Sequence, residues 1–554
     1  MTAAAKLPIE SWAAGKALLK PPNDDAAEAI GCSGRCYMSQ PAVTASSARQ
    51  SRAGLNGTIV IFGLLFAAEV TPILWPSLPP AMVDYNNHLA RMFVLARDGT
   101  AQAHPYYQVT WSLVPNLAMD LIVPGVGRHI GVETANRLFY LLSQVLIVTG
   151  AMALERAVKG CFQVAGFVAL IFLYSMPFAF GFENFEFGLG CALWGFACAI
   201  WLQDRSWMVR LVAHTTFIAL LFAAHMFALG IYGFAVGLHE LWRAWSRRTS
   251  LGETFAHFSA LAIPSALLAA LMIGANGSVG GSGNVWVFGN KATWILHILS
   301  GYSMVVSEIG MLALICLIVV LARRGALRLE QSAMWLMAGF SALYFAMPFR
   351  LFDTAFVDMR IVVALALIMP TFVSVSFPGL VWRRAAIALA ATIVIINVSD
   401  VTSVWLSYRE DFAAARKSFE LLPKGAVVLT AQTGDGDDPP ANLRDYPVFN
   451  VPTLAVHYAD AFVPHLFTAP GKQPVTPRAA WHRLDIAEGG FLPVKFLKYI
   501  AERGTPPGTP PFVQNWQRDF DYLYLIGPSI PNPMPDRLEF VMGAPRFALY
   551  RVRK

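Results

Sequence analysis

The chain has 554 residues, of which 56% are hydrophobic and only 14% charged, with a formal net charge of +7 and a mean hydropathy of +0.50. Ordinary soluble domains carry about 25% charge, so an ordinary cytosolic enzyme is excluded. The positive balance does not point to nucleic acid, because the Lys and Arg residues sit in short loops between apolar runs rather than along one stripe.

Residues 1–55 are rich in Ala, Ser, Gly and charge, and read as a disordered cytoplasmic tail. Cys32 and Cys36 lie in that tail without the further ligands of a zinc site, and Met38 is an alternative start. The first long apolar run, Gly57 to Trp75, reads as a retained anchor because no small-x-small cleavage pattern follows it. Further spans are expected near 134–154, 163–181, 187–203, 208–224, 226–242, 258–275, 303–322, 332–348, 357–377 and 385–405. That makes about eleven, each near the ~20 residues a bilayer needs. Segments 111–126 and 292–301 read as half-buried or re-entrant.

With that count the basic clusters share one side: Arg49 and Arg52, Arg156 and Lys159, Arg205 and Arg210, Arg243 with Arg247 and Arg248, Arg323 with Arg324 and Arg328, Arg383 and Arg384. Basic loops face the cytoplasm, which places residues 406–554 outside it. The expected organisation is a polytopic domain over 56–405, with a long first outer loop at 77–133, followed by a soluble α/β domain over 406–554. In that domain 408–422 reads as a helix, and 425–430, 522–526 and 547–552 read as strands. No Walker loop or GxGxxG appears in it. Gly277 to Gly283 reads as a flexible outer loop, more lid than phosphate cradle.

The first outer loop contains Val83-Asp84-Tyr-Asn-Asn-His88-Leu-Ala-Arg91. On a helix Asp84, His88 and Arg91 share a face at i, i+4, i+7. Asp84 then reads either as a base for a hydroxyl proton or as a helix N-cap, and Arg91 as a phosphate ligand. Asn87 stands where a capping box needs Glu or Gln. Tyr106 and Tyr107, further along the loop, read as boundary aromatics. Asp120 lies in an apolar run and needs a partner, with Arg128 or Arg137 the candidates. The second outer loop carries Glu183 and Glu186, either a site that orients an acceptor or binds a metal, or polar caps of a hairpin. The late loop carries Arg350, Asp353, Asp358 and Arg360. Two arginines outside depart from the positive-inside trend, and either bind a lipid phosphate or pair with Asp353 or Asp358. His225, between two apolar runs, reads as a packing or backbone-bonded histidine.

A long first outer loop with an acid after the first span, acids in the second outer loop, many spans and an external C-terminal α/β domain together resemble the GT-C superfamily of membrane glycosyltransferases. Asp84 in Val-Asp-Tyr-Asn-Asn-His matches the position of that family's first-loop acid, and Glu183 and Glu186 match its second-loop acids. The first-loop motif has a single acid, Asp84, where many members have a pair. The resemblance implies transfer of a sugar from a polyprenyl-phosphate carrier to a glycan, lipid or protein acceptor on the non-cytoplasmic face of a membrane, a bacterial inner membrane by its compact loops. It implies Asp84, Glu183 and Glu186 as catalytic residues, with His88, Arg91, Asp120, Arg350, Asp353, Asp358 and Arg360 around the substrates. No cofactor is certain, and a divalent cation is possible. Nucleic acid is not an expected partner. The alternative class is a transporter or lipid flippase with Glu69 and Asp120 on its path, and a third is a non-catalytic scaffold.

Overall fold

A computed structural model describes residues 45–276, 283–351, 354–434, 443–487 and 490–554. The tail before residue 45, with Cys32, Cys36 and Met38, lies outside them, as do Asp353 and nearly all of the Gly277–Gly283 loop. In chain order the helices are α1 (Ala45–Leu74), α2 (Tyr85–Arg97), α3 (Ala118–Ile130), α4 (Val132–Lys159), α5 (Ala165–Ile171), α6 (Met176–Phe180), α7 (Glu183–Trp201), α8 (Trp207–Ala224), α9 (Met226–Arg247), α10 (Leu251–Asn276), α11 (Gly289–His297), α12 (Met304–Arg323), α13 (Ala333–Ala346), α14 (Val357–Ile368), α15 (Leu380–Ser407), α16 (Arg409–Glu420), α17 (Leu454–Ala459) and α18 (Val494–Arg503).

Among the described residues six helical segments are long and apolar enough to cross a membrane: those within α1, α4, α8, α10, α12 and the continuous α15–α16 stretch. The other expected spans exist as helices but do not meet that description. α7 and α9 have the length, yet α7 begins with Glu183 and Glu186 and α9 ends with Glu240, Arg243 and Arg247. α13 and α14 are short. α10 and α12 turn long aliphatic side chains outward, with Leu267 60% and Ile309 64% exposed. A continuous aliphatic face of that kind belongs against lipid, because in water it would be a large unpaired apolar patch. The protein is an integral membrane protein.

The expected span 163–181 is broken. α5 stops at Phe172, Ser175 is extended, and Pro177 opens α6. The broken backbone is stitched to a second irregular segment: Met176 N–H donates to the Ile298 carbonyl at 3.2 Å, and Gly301 N–H to the Tyr174 carbonyl at 3.2 Å. Asn397 of α15 closes the join by donating to the Leu299 carbonyl at 3.1 Å. Non-helical backbone within a bundle is tolerated where neighbours satisfy it in this way.

α4 and α7 pack closely through paired glycines. A Cβ on Gly190 would stand 2.6 Å from Leu146 Cβ, and one on Gly150 would stand 2.9 Å from the Gly190 carbonyl. Small residues let helix backbones approach where lipid offers no hydrophobic drive. Gly190→Val is therefore expected to force α7 away from α4, at a cost of about 1–3 kcal/mol or more. A lowered melting temperature of the purified protein in detergent would report it; an unchanged one would mean the helices can separate freely.

The strands are β1 (Tyr107–Val109), β2 (Leu327–Leu329), β3 (Val373–Val375), β4 (Val428–Gln432), β5 (Val475–Pro477), β6 (Leu492–Pro493), β7 (Tyr522–Ile526), β8 (Leu538–Ala544) and β9 (Phe547–Val552). The C-terminal sheet has the order β6-β4-β7-β9-β8, with β4 parallel to β6 and β7 and the remaining pairs antiparallel. β7 is buried at every position, as its unbroken Tyr-Leu-Tyr-Leu-Ile run demands of a central strand.

Residues 59–554 form one compact unit, so no gap separates the spans from the C-terminal sheet. The loop after α1 joins the two. β1 pairs antiparallel with β5, Tyr107↔Pro477 to Val109↔Val475. Tyr107 is 1% exposed and its hydroxyl donates to the Val463 carbonyl at 2.8 Å, while the Tyr106 hydroxyl donates to the Gly425 carbonyl. These tyrosines fasten the loop to the C-terminal region; they are not boundary aromatics facing lipid.

Candidate functional site

One end of the helical bundle carries a cavity of about 520 Å³. Its walls come from the start of α2, the loop before α3, the α6–α7 turn, the α8–α9 break, the loop before α14 and a segment of the C-terminal region. Of the residues singled out in the sequence, Asp84, His88, Arg91, Glu183, His225, Arg350 and Arg360 line it. Asp120, Glu186 and Asp358 do not, and Asp353 lies outside the described residues.

Asp84 occupies the N-cap position of α2, but its side chain makes no capping hydrogen bond. The N-cap reading therefore holds for position and not for chemistry. Asp84 N–H donates to the Phe180 carbonyl at 2.9 Å, which docks the start of α2 on the α6–α7 turn. That contact needs Gly181. Its φ of +82° is left-handed, and a Cβ there would stand 3.2 Å from Asp84 N.

Arg91 and Asp120 are both buried and joined by two bonds, Nε to Oδ1 at 2.9 Å and Nη2 to Oδ2 at 3.0 Å. The partner of Asp120 is thus Arg91, neither Arg128 nor Arg137. Arg128 donates to the Ala96 carbonyl and Arg137 to those of Ile73, Trp75 and Leu78. The pair holds α2 against α3. Arg91 is therefore mainly a structural residue, although its buried Nη1 has no partner among the described residues. His88 stands edge-on to Phe467, their ring centroids 5.3 Å apart. Burial, helped by the Arg91 charge, holds its imidazole well below the usual histidine range, so it stays neutral.

Glu183 is 1% exposed, and neither carboxylate oxygen has a hydrogen-bond partner among the described residues. The Tyr140 hydroxyl and the charges of Arg91, Asp84 and Asp120 act on it. Asn184 beside it is fully used: Oδ1 accepts from Met119 N–H at 2.9 Å, and Nδ2 donates to the Asn116 carbonyl at 2.6 Å. Glu186, three residues on in α7, is buried and does not line the cavity. The two acids do not act as a pair. Among the described residues no three His, Cys, Asp or Glu side chains gather where they could hold a metal ion.

Arg360, at the start of α14, is 4% exposed and lies over Phe182 at 4.4 Å and Phe185 at 5.5 Å from the ring centroids. Its Nε and Nη1 have no partner among the described residues, and Asp84 is the carboxylate whose charge it feels. A buried guanidinium held by aromatic faces, with open donors toward a cavity, is an anion site in form. Asp358 is not its partner. Asp358 pairs instead with Lys291, whose Nζ is 3.3 Å from Asp358 Oδ2, both side chains buried. Nor does any described residue pair with Arg350, which is exposed at the cavity mouth. His225 is the extended break between α8 and α9, and its Nδ1 accepts from Phe227 N–H at 3.1 Å, a backbone role.

The sequence reading missed the roof. Tyr446, Phe467, Lys472 and Gln473 of the C-terminal region line the cavity. Their only local signal is the turn-forming Ala469-Pro-Gly-Lys-Gln-Pro474 run, which says loop and nothing about a site.

No family model matches the chain, and no curated protein matches it by sequence. Among solved structures, the chain is similar to ArnT from Cupriavidus metallidurans in its apo state, with 11% identity over 90% of this chain and 98% of that one and a TM-score of 0.48. It is similar to the same protein bound to undecaprenyl phosphate, with 12% identity over 89% of this chain and 98% of that one and a TM-score of 0.48.

Proposed function

We propose that the protein is a membrane glycosyltransferase that moves a sugar from a polyprenyl-phosphate carrier to an acceptor hydroxyl. The observation that carries the reading is the facing pair at the cavity: the half-buried carboxylate of Asp84 and the buried, open-handed guanidinium of Arg360. Such transfer needs a base for the acceptor proton and a cation for the phosphate that departs. Asp84 takes the proton as the acceptor oxygen bonds to the anomeric carbon. The bond from that carbon to the phosphate oxygen breaks, and Arg360 meets the growing charge on the carrier phosphate. Arg350, at the mouth, draws the phosphate in. Glu183 orients the sugar or the acceptor. The cavity lies at the helix ends opposite the basic loops after α4, α7, α9 and α12, which supports a reaction on the outer face of a bacterial inner membrane, with the N-terminus in the cytoplasm.

The decisive experiment offers the full chain a panel of radiolabelled polyprenyl-phosphate sugars and looks for lipid-to-acceptor transfer. Transfer with none of them, across glycan, lipid and protein acceptors, would sink the reading. Arg360→Met keeps the packing on Phe182 and removes the charge. It is expected to lower kcat/KM by about a hundredfold, as loss of a preorganised charge contact in a transition state does. The same assay in EDTA is expected to run at the untreated rate, because Arg360 supplies the positive charge; a fall restored by Mg²⁺ or Mn²⁺ would put a divalent cation in the site.

The transport reading uses Asp120 and Glu69 as a polar path. Asp120 is neutralised by Arg91, and Glu69 is enclosed in the bundle with 0% exposure. Neither opens on the cavity.

A further inference from the structure

We infer that Asn450, a residue of the C-terminal region, is a positioning residue for Asp84. The inference rests on Asp84 being the base proposed above. The Asn450 side-chain amide donates to the Val83 carbonyl at 2.8 Å and reaches Asp84 Oδ1 at 3.5 Å. One N–H therefore fixes the backbone that carries Asp84, and the other is aimed at its carboxylate. Asn450 is held in turn. Its Oδ1 accepts from Asn87 Nδ2 at 3.2 Å, and Asn87 also donates to the His465 carbonyl at 2.8 Å and accepts from Phe467 N–H at 2.7 Å. Asn450 is 7% exposed and Asn87 0% exposed, so water does not compete for the bonds between them. Asn87, the residue that fails to complete a capping box, is the other half of this clamp.

The consequence is that the base is set from two distant parts of the chain. α2 supplies the carboxylate, and the segment running from Asn450 to the Phe467 edge of the cavity sets its direction. A buried amide that donates to a carboxylate favours the charged form. Arg360 of α14, Glu183 of α7 and Tyr140 of α4 also act on Asp84, and His88 and Arg91 of its own helix, Arg350 before α14 and Lys472 of the C-terminal region line the same cavity.

The test labels carboxylates of the full-length protein with a water-soluble carbodiimide and an amine across a pH series, and follows Asp84 by mass spectrometry. The proteins compared are wild type, Asn450→Ala, the near-isosteric Asn450→Asp, and Asn87→Ala. Transfer from undecaprenyl-phosphate sugars is measured alongside. In Asn450→Ala the midpoint of Asp84 labelling is expected to move up by about half to one pH unit, the worth of one buried hydrogen bond. Asn450→Asp places a like charge there and is expected to move it further in the same direction. Both variants are expected to lose kcat at neutral pH, with the KM for the donor little changed. Asn87→Ala loosens the clamp without removing the amide aimed at Asp84, so it is expected to lower thermal stability and leave the midpoint in place. An unmoved midpoint in both Asn450 variants overturns the inference, whatever the transfer assay gives. A moved midpoint in a protein that transfers no sugar leaves Asn450 as the residue that sets Asp84 and removes the glycosyl-transfer reading instead.

Discussion

Asp84→Asn is expected to reduce sugar transfer by about a thousandfold, within the 10²–10⁴ range that a positioned general base contributes. The substitution changes one oxygen to an amide and leaves the shape of the residue intact. Asp84 makes no capping bond, so the start of α2 loses nothing there. Its backbone bond to Phe180 is untouched, and Asn serves well at an N-cap position. Stability should therefore change by less than about 1 kcal/mol. The measurement is radiolabelled transfer by membranes and by purified protein, with the melting temperature of each recorded. Transfer near the wild-type rate would move the base elsewhere, and Glu183, unpartnered at the same cavity, would be the next candidate. Loss of transfer together with loss of folding would contradict the account of α2 given above.

Asp120→Ala is expected to be the most destabilising of the substitutions considered. It removes one partner of a fully buried pair and strands the Arg91 guanidinium, which is 1% exposed, between α2 and α3. Breaking such a pair from one side costs about 3–5 kcal/mol, because the surviving charge keeps its desolvation penalty and loses its compensation. The double variant Arg91→Met with Asp120→Leu removes both charges and keeps most of the volume. It should recover much of the loss, since well-packed apolar residues often replace a buried pair at little cost. Thermal melting of wild type, Arg91→Met, Asp120→Leu and the double in the same detergent gives the coupling energy directly. A double variant no more stable than Asp120→Ala would mean that the pair holds α2 and α3 by hydrogen-bond direction rather than by charge balance. Since α2 carries Asp84, the double variant also separates stability from activity: restored folding with poor transfer would show that the pair sets the angle of α2 at the cavity.

Much of this protein was legible from local pattern. Long apolar runs broken by charged loops identify a membrane protein, because burying charge in lipid is costly over any stretch of chain. The spacing of Asp84, His88 and Arg91 on one helix face is also local, and all three meet at the cavity. The buried strands near 428, 522 and 547 follow from runs of Val, Leu, Tyr and Ile.

What the sequence could not decide is which polar group answers which. Asp120 has candidate partners at 128 and 137 by proximity in the chain, and its actual partner is Arg91, on another helix. Asp358 lies between Arg350 and Arg360 and pairs with neither; it takes Lys291. Asn87 appeared to be a failed capping box and instead bonds to residues more than 360 positions away. The physical reason is the same in each case. A buried polar group pairs with whatever donor or acceptor the packing of separate elements brings within about 3 Å. That distance depends on how the spans, the first loop and the C-terminal region stack, and no periodicity in the chain records it.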